Sequence, residues 1–253
     1  MLATHAMKIS YDGTAFFGWQ RHGGKPTIQG ALEDAIAEAF DMRSAVQGSG
    51  RTDRGAHATG QVASVSLPEG LDCPVGRERL NAVLPEEIRV LELALAPPGF
   101  HALESCIGKQ YRYELWVAED CPPEKQGHVW HASRPLDREA MVEAATHLIG
   151  RKDFASFATK THFKPKSTVR DLSELRIEGD GPVLTVLMRA DGFLYKMVRN
   201  IVRSLVRVGE GQLTSGDFRG ILMAKDRKAA TGAAPATGLY LDVVYYPVEL
   251  FGD

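Results

Sequence analysis

Asp53 lies in the run Gly48-Ser49-Gly50-Arg51-Thr52-Asp53-Arg54-Gly55-Ala56-His57-Ala58-Thr59-Gly60. A carboxylate flanked by Arg51 and Arg54 is expected to have a lowered pKa and stay ionised, since nearby guanidinium charges favour its charged form. Glycines at 48, 50, 55 and 60 tighten the backbone and are expected to leave the space around Asp53 uncrowded. Such a group suits attack on a carbon or removal of a proton. The same residues also fit a solvent-facing glycine-rich turn with an ion pair. His57 could join Asp53 at a metal, but no third ligand is evident and HExxH is absent, so no metal is expected. There is no GxxxxGK[ST] loop for ATP or GTP. Gly48-Ser49-Gly50 begins like a dinucleotide loop, but Asp53 occupies the required third glycine position.

A second constellation is basic. Arg199, Arg203 and Arg207 follow at four-residue steps, beside an apolar stripe of Val198, Ile201, Val202 and Leu205. Like charges at that spacing repel, so an acidic partner is expected, either phosphates or an internal carboxylate. Arginines reaching separately into water or surface pairs are the bland alternative. Residues 151–207 carry 12 Lys+Arg against 6 Asp+Glu, while the whole chain has net charge −2. That asymmetry fits a one-sided acidic ligand such as nucleic acid, or chance clustering on a solvated surface. Tyr111 and Tyr113 share a strand face and either stack bases or sit in the core. Phe16, Phe17, Trp19, Gln20 and Arg21 form a loop that could touch RNA or staple the following helix.

Elements must position these groups. In the first half the patterns predict strands at 7–11, 45–47, 61–67 and 88–95, with helices at 26–40, capped by Thr27, and 75–83. The second half reads as strands at 110–117, 169–177, 183–190 and 239–246, with helices at 137–149 and 193–208. Asp137 caps the first of those helices and Gly150 stands just past its end. Gly179-Asp180-Gly181 reads as a hairpin turn. Each half has the order β-α-β-β-α-β, so an α+β fold of two pseudo-symmetric ferredoxin-like halves is expected, 1–104 and 105–253. Pro97-Pro98-Gly99 breaks the pattern between them, and Lys225–Gly238 is the longest loop of the second half.

The chain has 253 residues, 44% hydrophobic and 25% charged, an ordinary globular profile. No apolar run approaches the roughly 20 residues of a membrane span. The first ten residues do not read as a secretory signal, and the three scattered cysteines suit a reducing compartment, so a cytoplasmic location is expected.

Gly50-Arg51-Thr52-Asp53-x-Gly55-x-His57-Ala58 resembles the active-site motif of the tRNA pseudouridine synthase A family. Further segments match in order: Tyr11-Asp12-Gly13-Thr14, Gly18-Trp19-Gln20, Gln29-Gly30, Tyr111-Arg112-Tyr113, residues 193–200 and residues 234–241. The resemblance covers nearly the whole chain. It implies the pseudouridine synthase fold, a mixed and mostly antiparallel sheet. It implies isomerisation of uridine to pseudouridine in the tRNA anticodon stem-loop, with no cofactor or metal, by a homodimer.

By the same resemblance Asp53 is the catalytic carboxylate, attacking C1′ or taking a 2′ proton to give a glycal. Arg51 fills the space left by the flipped base, and Arg199 pairs with Asp53. Tyr111 stacks on the uracil, and Leu241 packs on it. RNA contacts are expected from Gln20, Arg21, His57, Lys164, Lys166, Lys196 and Arg203. Arg54 and Ala56 depart from the family pattern, standing where small or aliphatic residues are usual. Lys152 stands at a frequent histidine and Ala233 at a threonine. A non-catalytic RNA-binding protein of two ferredoxin-like modules is the alternative. A glycosidase would need a second carboxylate flanking the bond, and no clear candidate is present.

Overall fold

A computed structural model describes residues 1–132, 134–160 and 165–252. In chain order it contains β1 (Leu2–Tyr11), α1 (Ile28–Phe40), β2 (Gln47–Gly48), β3 (His57–Pro68), α2 (Cys73–Val83) and β4 (Ile88–Leu95). Then come β5 (Gly108–Trp116), β6 (Trp130–His131), α3 (Arg138–Thr146), β7 (Gly150–Asp153), β8 (Val169–Glu178) and β9 (Val183–Ala190). The chain ends with α4 (Met197–Gly209), α5 (Ser215–Ala224) and β10 (Leu239–Tyr245). Two compact units emerge: Met1–Ile107 with Tyr240–Asp253, and Gly108–Leu239. Among the described residues no helix is long and apolar enough to cross a membrane.

In the first unit, β1 runs antiparallel to both β3 and β4, and β2 is antiparallel to β3. Tyr240 and Leu241 of β10 pair in parallel with His57 and Ala58 of β3, which brings the last strand back to the first unit. Helix α1 forms where Thr27, in an extended conformation, accepts the Gly30 N–H at 3.2 Å. That cap satisfies one of the N–H groups a helix start leaves open, worth about 1 kcal/mol. The α1 face of Ile28, Leu32, Ala35, Ile36 and Ala39 is buried, as its spacing predicts.

In the second unit, β5, β9, β8 and β7 follow one another as antiparallel neighbours, and β6 runs parallel to β5. The order β5, α3, β8, β9, α4 repeats that of β1, α1, β2, β3, α2 with short additions. Several elements differ from expectation. Helix α4 starts at Met197, not Phe193, because Lys196 takes a left-handed conformation with φ 58°. Helix α3 stops at Thr146, and Gly150 with φ 94° opens the unexpected strand β7. Helix α5 was not expected; Thr214 and Asp217 cap each other at its start. The first basic step of α4 is braced by segment 225–238. The Ala234 N–H donates to the Arg199 carbonyl at 3.0 Å, Arg199 Nε donates to the Ala234 carbonyl at 2.7 Å, and Arg227 donates to Asn200 Oδ1 at 3.1 Å.

Asn200 is fully buried and also donates through Nδ2 to the Phe157 carbonyl at 2.6 Å and Thr159 Oγ1 at 3.2 Å. Asn200→Ala strands these partners, so urea denaturation should show a loss of about 1–3 kcal/mol. An unchanged midpoint would show that the network does not hold the segment to α4.

Candidate active site

The Asp53 loop joins β2 to β3 and is fixed from three sides within the first unit. Ser49 donates its backbone N–H to Val62 O at 2.7 Å and its hydroxyl to Gln61 Oε1 at 2.6 Å. Gln61 Nε2 donates to the Gly50 carbonyl at 2.8 Å. Ser49 and Gln61 are fully buried, so these bonds form away from competing water. The Tyr11 hydroxyl and Thr52 Oγ1 share a hydrogen bond of 2.8 Å. Burial pushes the Tyr11 phenol pKa up, against the pull of that bond, so the hydroxyl stays protonated.

The third side is backbone against backbone. A Cβ on Gly13 would sit 1.9 Å from the Ala56 carbonyl oxygen. Gly18, with φ 85°, would place one 2.7 Å from the Thr52 carbonyl oxygen. The Trp19 N–H donates to that same Thr52 oxygen at 3.1 Å. The loop glycines act alike: a Cβ on Gly48 would meet the Trp19 indole at 2.5 Å, and one on Gly60 the Asp242 carbonyl oxygen at 2.0 Å. Gly48 and Gly60 therefore admit close walls, instead of leaving space around the carboxylate as expected. Asp53 itself is half-buried, its carbonyl accepting the Ala56 N–H at 3.1 Å across a turn through Gly55. Arg51 and Arg54 are exposed, and Arg54 lays its guanidinium over the Phe17 ring, 4.2 Å from the centroid.

Three residues expected to touch RNA also have partners within the protein. His57 is 1% exposed, a packing residue stacked on Tyr240 at 4.6 Å. Its Nδ1 lies 3.2 Å from the Gly13 N and 3.1 Å from Asp12 Oδ1, tying the end of β1 to the start of β3. Arg21 is exposed, but its guanidinium is matched by Glu33 at 3.0 Å and Asp34 at 3.1 Å. Gln20 is exposed and donates to Gln29 Oε1 at 2.9 Å, and Gln29 in turn donates to Val46 O at 3.0 Å. Loop 18–21 thus staples α1. Leu241 is fully covered, beside Ala58 in the parallel pairing.

Within the second unit, Tyr111 and Tyr113 share a face of β5, opposite Met188 and Val186, and both are buried. Tyr113 is core: its hydroxyl donates to the Pro235 carbonyl at 2.7 Å. Burial drives its pKa up, and the nearby Arg199 and Arg203 charges only partly offset this. Tyr111, 8% exposed, meets Phe193 edge-on at 5.0 Å.

The arginine row has an internal destination that charge spacing did not reveal. Arg199 Nε donates to the Ala234 carbonyl at 2.7 Å, and Arg203 lies over Trp130 at 5.3 Å. Arg207 donates to Thr231 Oγ1 at 2.8 Å and Gln212 Oε1 at 3.1 Å. Lys196 is half-buried with its Nζ 5.2 Å from the Tyr195 ring centre, and Lys166 is exposed. Lys164 lies outside the described residues. Sequence reasoning missed Tyr11, Thr52, Ser49 and Gln61 as supports of the loop. Tyr11 and Thr52 show in sequence only as members of motifs, and Ser49 and Gln61 carry no local signal.

The family model described as tRNA pseudouridine synthase matches residues 7–98 and 144–247. A tRNA pseudouridine synthase A of Methylacidiphilum infernorum (isolate V4) is 40% identical over 245 residues, covering 97% of this chain and 96% of that protein. That of Rhodospirillum rubrum is 40% identical over 249 residues, 98% of this chain and 89% of its own. That of Solidesulfovibrio magneticus is 42% identical over 258 residues, with 97% and 92% covered. The chain belongs to the tRNA pseudouridine synthase family and has its α+β, mostly antiparallel fold.

The Gly13 contact with the loop is open to a direct test. Gly13→Ala forces the Ala56 carbonyl to move and should cost about 3 kcal/mol or more in thermal or urea unfolding. Gly23→Ala, where a Cβ meets nothing, should stay within about 0.5 kcal/mol of the parent. Equal stability for the two variants would mean that the loop is not clamped as described.

Proposed function

We propose that this chain converts uridine to pseudouridine in the anticodon stem-loop of tRNA, with Asp53 as the nucleophile. An isomerisation gains and loses no atoms overall, so it consumes no co-substrate. Asp53 attacks C1′ of the target ribose, and the N1–C1′ pair departs with the uracil. The freed base turns, C5 bonds to C1′ and displaces the carboxylate, C5 loses its proton and N1 gains one. The target base leaves its stack first, at a cost of a few kcal/mol.

One observation carries this reading: Asp53 stands on a loop held by buried hydrogen bonds and close backbone packing, yet is not itself sealed in the core. A carboxylate that must meet a ribose carbon at bonding geometry gains from such fixing, because orientation is settled before substrate arrives. Arg51, exposed and two residues away, is assigned to the space the base vacates. Tyr111, Arg199 and Leu241 keep the roles the resemblance gives them. Lys166, Lys196 and Arg203 remain assigned to RNA. The working form is a homodimer in the cytoplasm, a reading supported by the family resemblance and the odd, scattered cysteines.

Asp53→Asn tests the assignment, since it keeps shape and removes the nucleophile. Tritium release from tRNA labelled at uridine C5 should fall by about three orders of magnitude or more, while tRNA binding persists. Substantial residual turnover would remove Asp53 from the chemistry. A wild-type protein that binds tRNA and releases no tritium would favour the non-catalytic RNA-binding alternative. Nucleotide mapping of treated tRNA should place pseudouridine in the anticodon stem-loop.

A further inference from the structure

Phe17 is a large apolar side chain with 36% of its surface in water, on the segment that closes over the Asp53 loop. It has not been left bare by accident of a loose loop. Its N–H donates to the Pro26 carbonyl at 2.8 Å, and its neighbour Gly18 is pressed against Thr52. Two cations gather on this one ring: Arg54 with its guanidinium carbon 4.2 Å from the centroid, and Lys25 with Nζ at 4.7 Å. Both side chains are exposed. Among the described residues neither has a carboxylate partner, while the nearby acids Glu33 and Asp34 are taken by Arg21.

Each cation gains about 0.5–1 kcal/mol from the ring at an exposed site. Two like charges sharing one ring repel each other, which takes back part of that gain. Stability alone is therefore a weak reason for the second cation, and a polyanion laid across both would turn the repulsion into affinity. The ring also settles two long side chains that otherwise lose rotamer freedom on binding. Arg54 directly follows Asp53 in the chain, so the paired cations border the loop that carries the carboxylate.

We propose that Lys25 and Arg54, held on Phe17, grip backbone phosphates of the tRNA strand beside the target nucleotide. The proposal rests on the tRNA reading given above and extends it to a second binding element. The contact supplies affinity and register without reading sequence, as phosphate contacts do.

The test is the salt dependence of tRNA binding, measured by fluorescence anisotropy on wild-type, Lys25→Ala, Arg54→Ala, Arg54→Lys and Phe17→Leu proteins. Removing either cation should lower the slope of log K against log salt by about 0.7–0.9, since one counterion fewer is released. Arg54→Lys should restore the slope, because a charge and not a fold contact is being counted. Phe17→Leu should weaken binding with the slope unchanged. Slopes equal to wild type for both alanine variants, in proteins with wild-type thermal midpoints, overturn the proposal. A slope loss in Arg54→Ala that Arg54→Lys fails to restore also overturns it. Tritium release separates the two readings: release with unmoved slopes sinks the clamp alone. No release with the expected slope changes sinks the catalytic reading and leaves the clamp standing.

Discussion

The first unit depends on backbone packed against backbone. Residues 52–56 carry Asp53, and the turn after β1 lies so close to them that Gly13 and Gly18 have no room for a side chain. Backbone is the stiffest material a protein has, and contacts of this kind leave a loop few alternative positions. The polar groups around it are paired accordingly: Ser49 with Gln61, Gln61 with Gly50, Tyr11 with Thr52. The carboxylate thus rides on a frame set by β1, α1 and β3 together. Motifs far apart in sequence, Tyr11–Thr14 and Gly18–Gln20, are walls of one loop.

The second unit solves a different problem. Three arginines along α4 repel one another and need acceptors. Segment 227–238 supplies them as carbonyls and hydroxyls, with Trp130 serving Arg203. Carbonyl oxygens carry only partial charge, so they orient the guanidiniums without cancelling them. The guanidiniums are thereby held in place, and ordering them beforehand costs less than ordering three mobile chains on binding. Arg21 is the contrary case, because full carboxylates on α1 neutralise it.

What was legible in sequence followed physical range. Strands β4 and β9 were readable to the residue, since their apolar and turn signals are local. The α1 cap and its buried face were equally plain. Helix α4 was read four residues too early because Phe193 and Leu194 continue the apolar periodicity, and only the left-handed Lys196 interrupts it. Strand β7, the polar run Gly150–Asp153, has no alternation to detect and exists by pairing with β8. Helix α5 carried a capping signal, but with Asp217 where Glu or Gln is the usual partner. Asp53 stood out because its loop chemistry is contiguous. The burial of His57 was not legible, because it depends on Tyr240, which arrives with β10 from the far end of the chain. The same return of β10 is invisible to a linear division of the chain into halves.

A net charge of −2 is an unpromising total for a protein whose substrate is a polyanion. The total matters little at the distances involved. At physiological salt the screening length is about 8 Å, so a phosphate responds to the few charges beside it and not to acids across the molecule. Local accounts also shrink some apparent basic clusters: Arg176 is paired with Glu174 and Glu178, and Arg170 is turned onto backbone carbonyls at Ser167 and Val169. The count of basic residues between 151 and 207 therefore overstates what that stretch can offer RNA. Lys25 and Arg54, held on the Phe17 ring, weigh more than their number suggests, because they meet a phosphate with their geometry already settled.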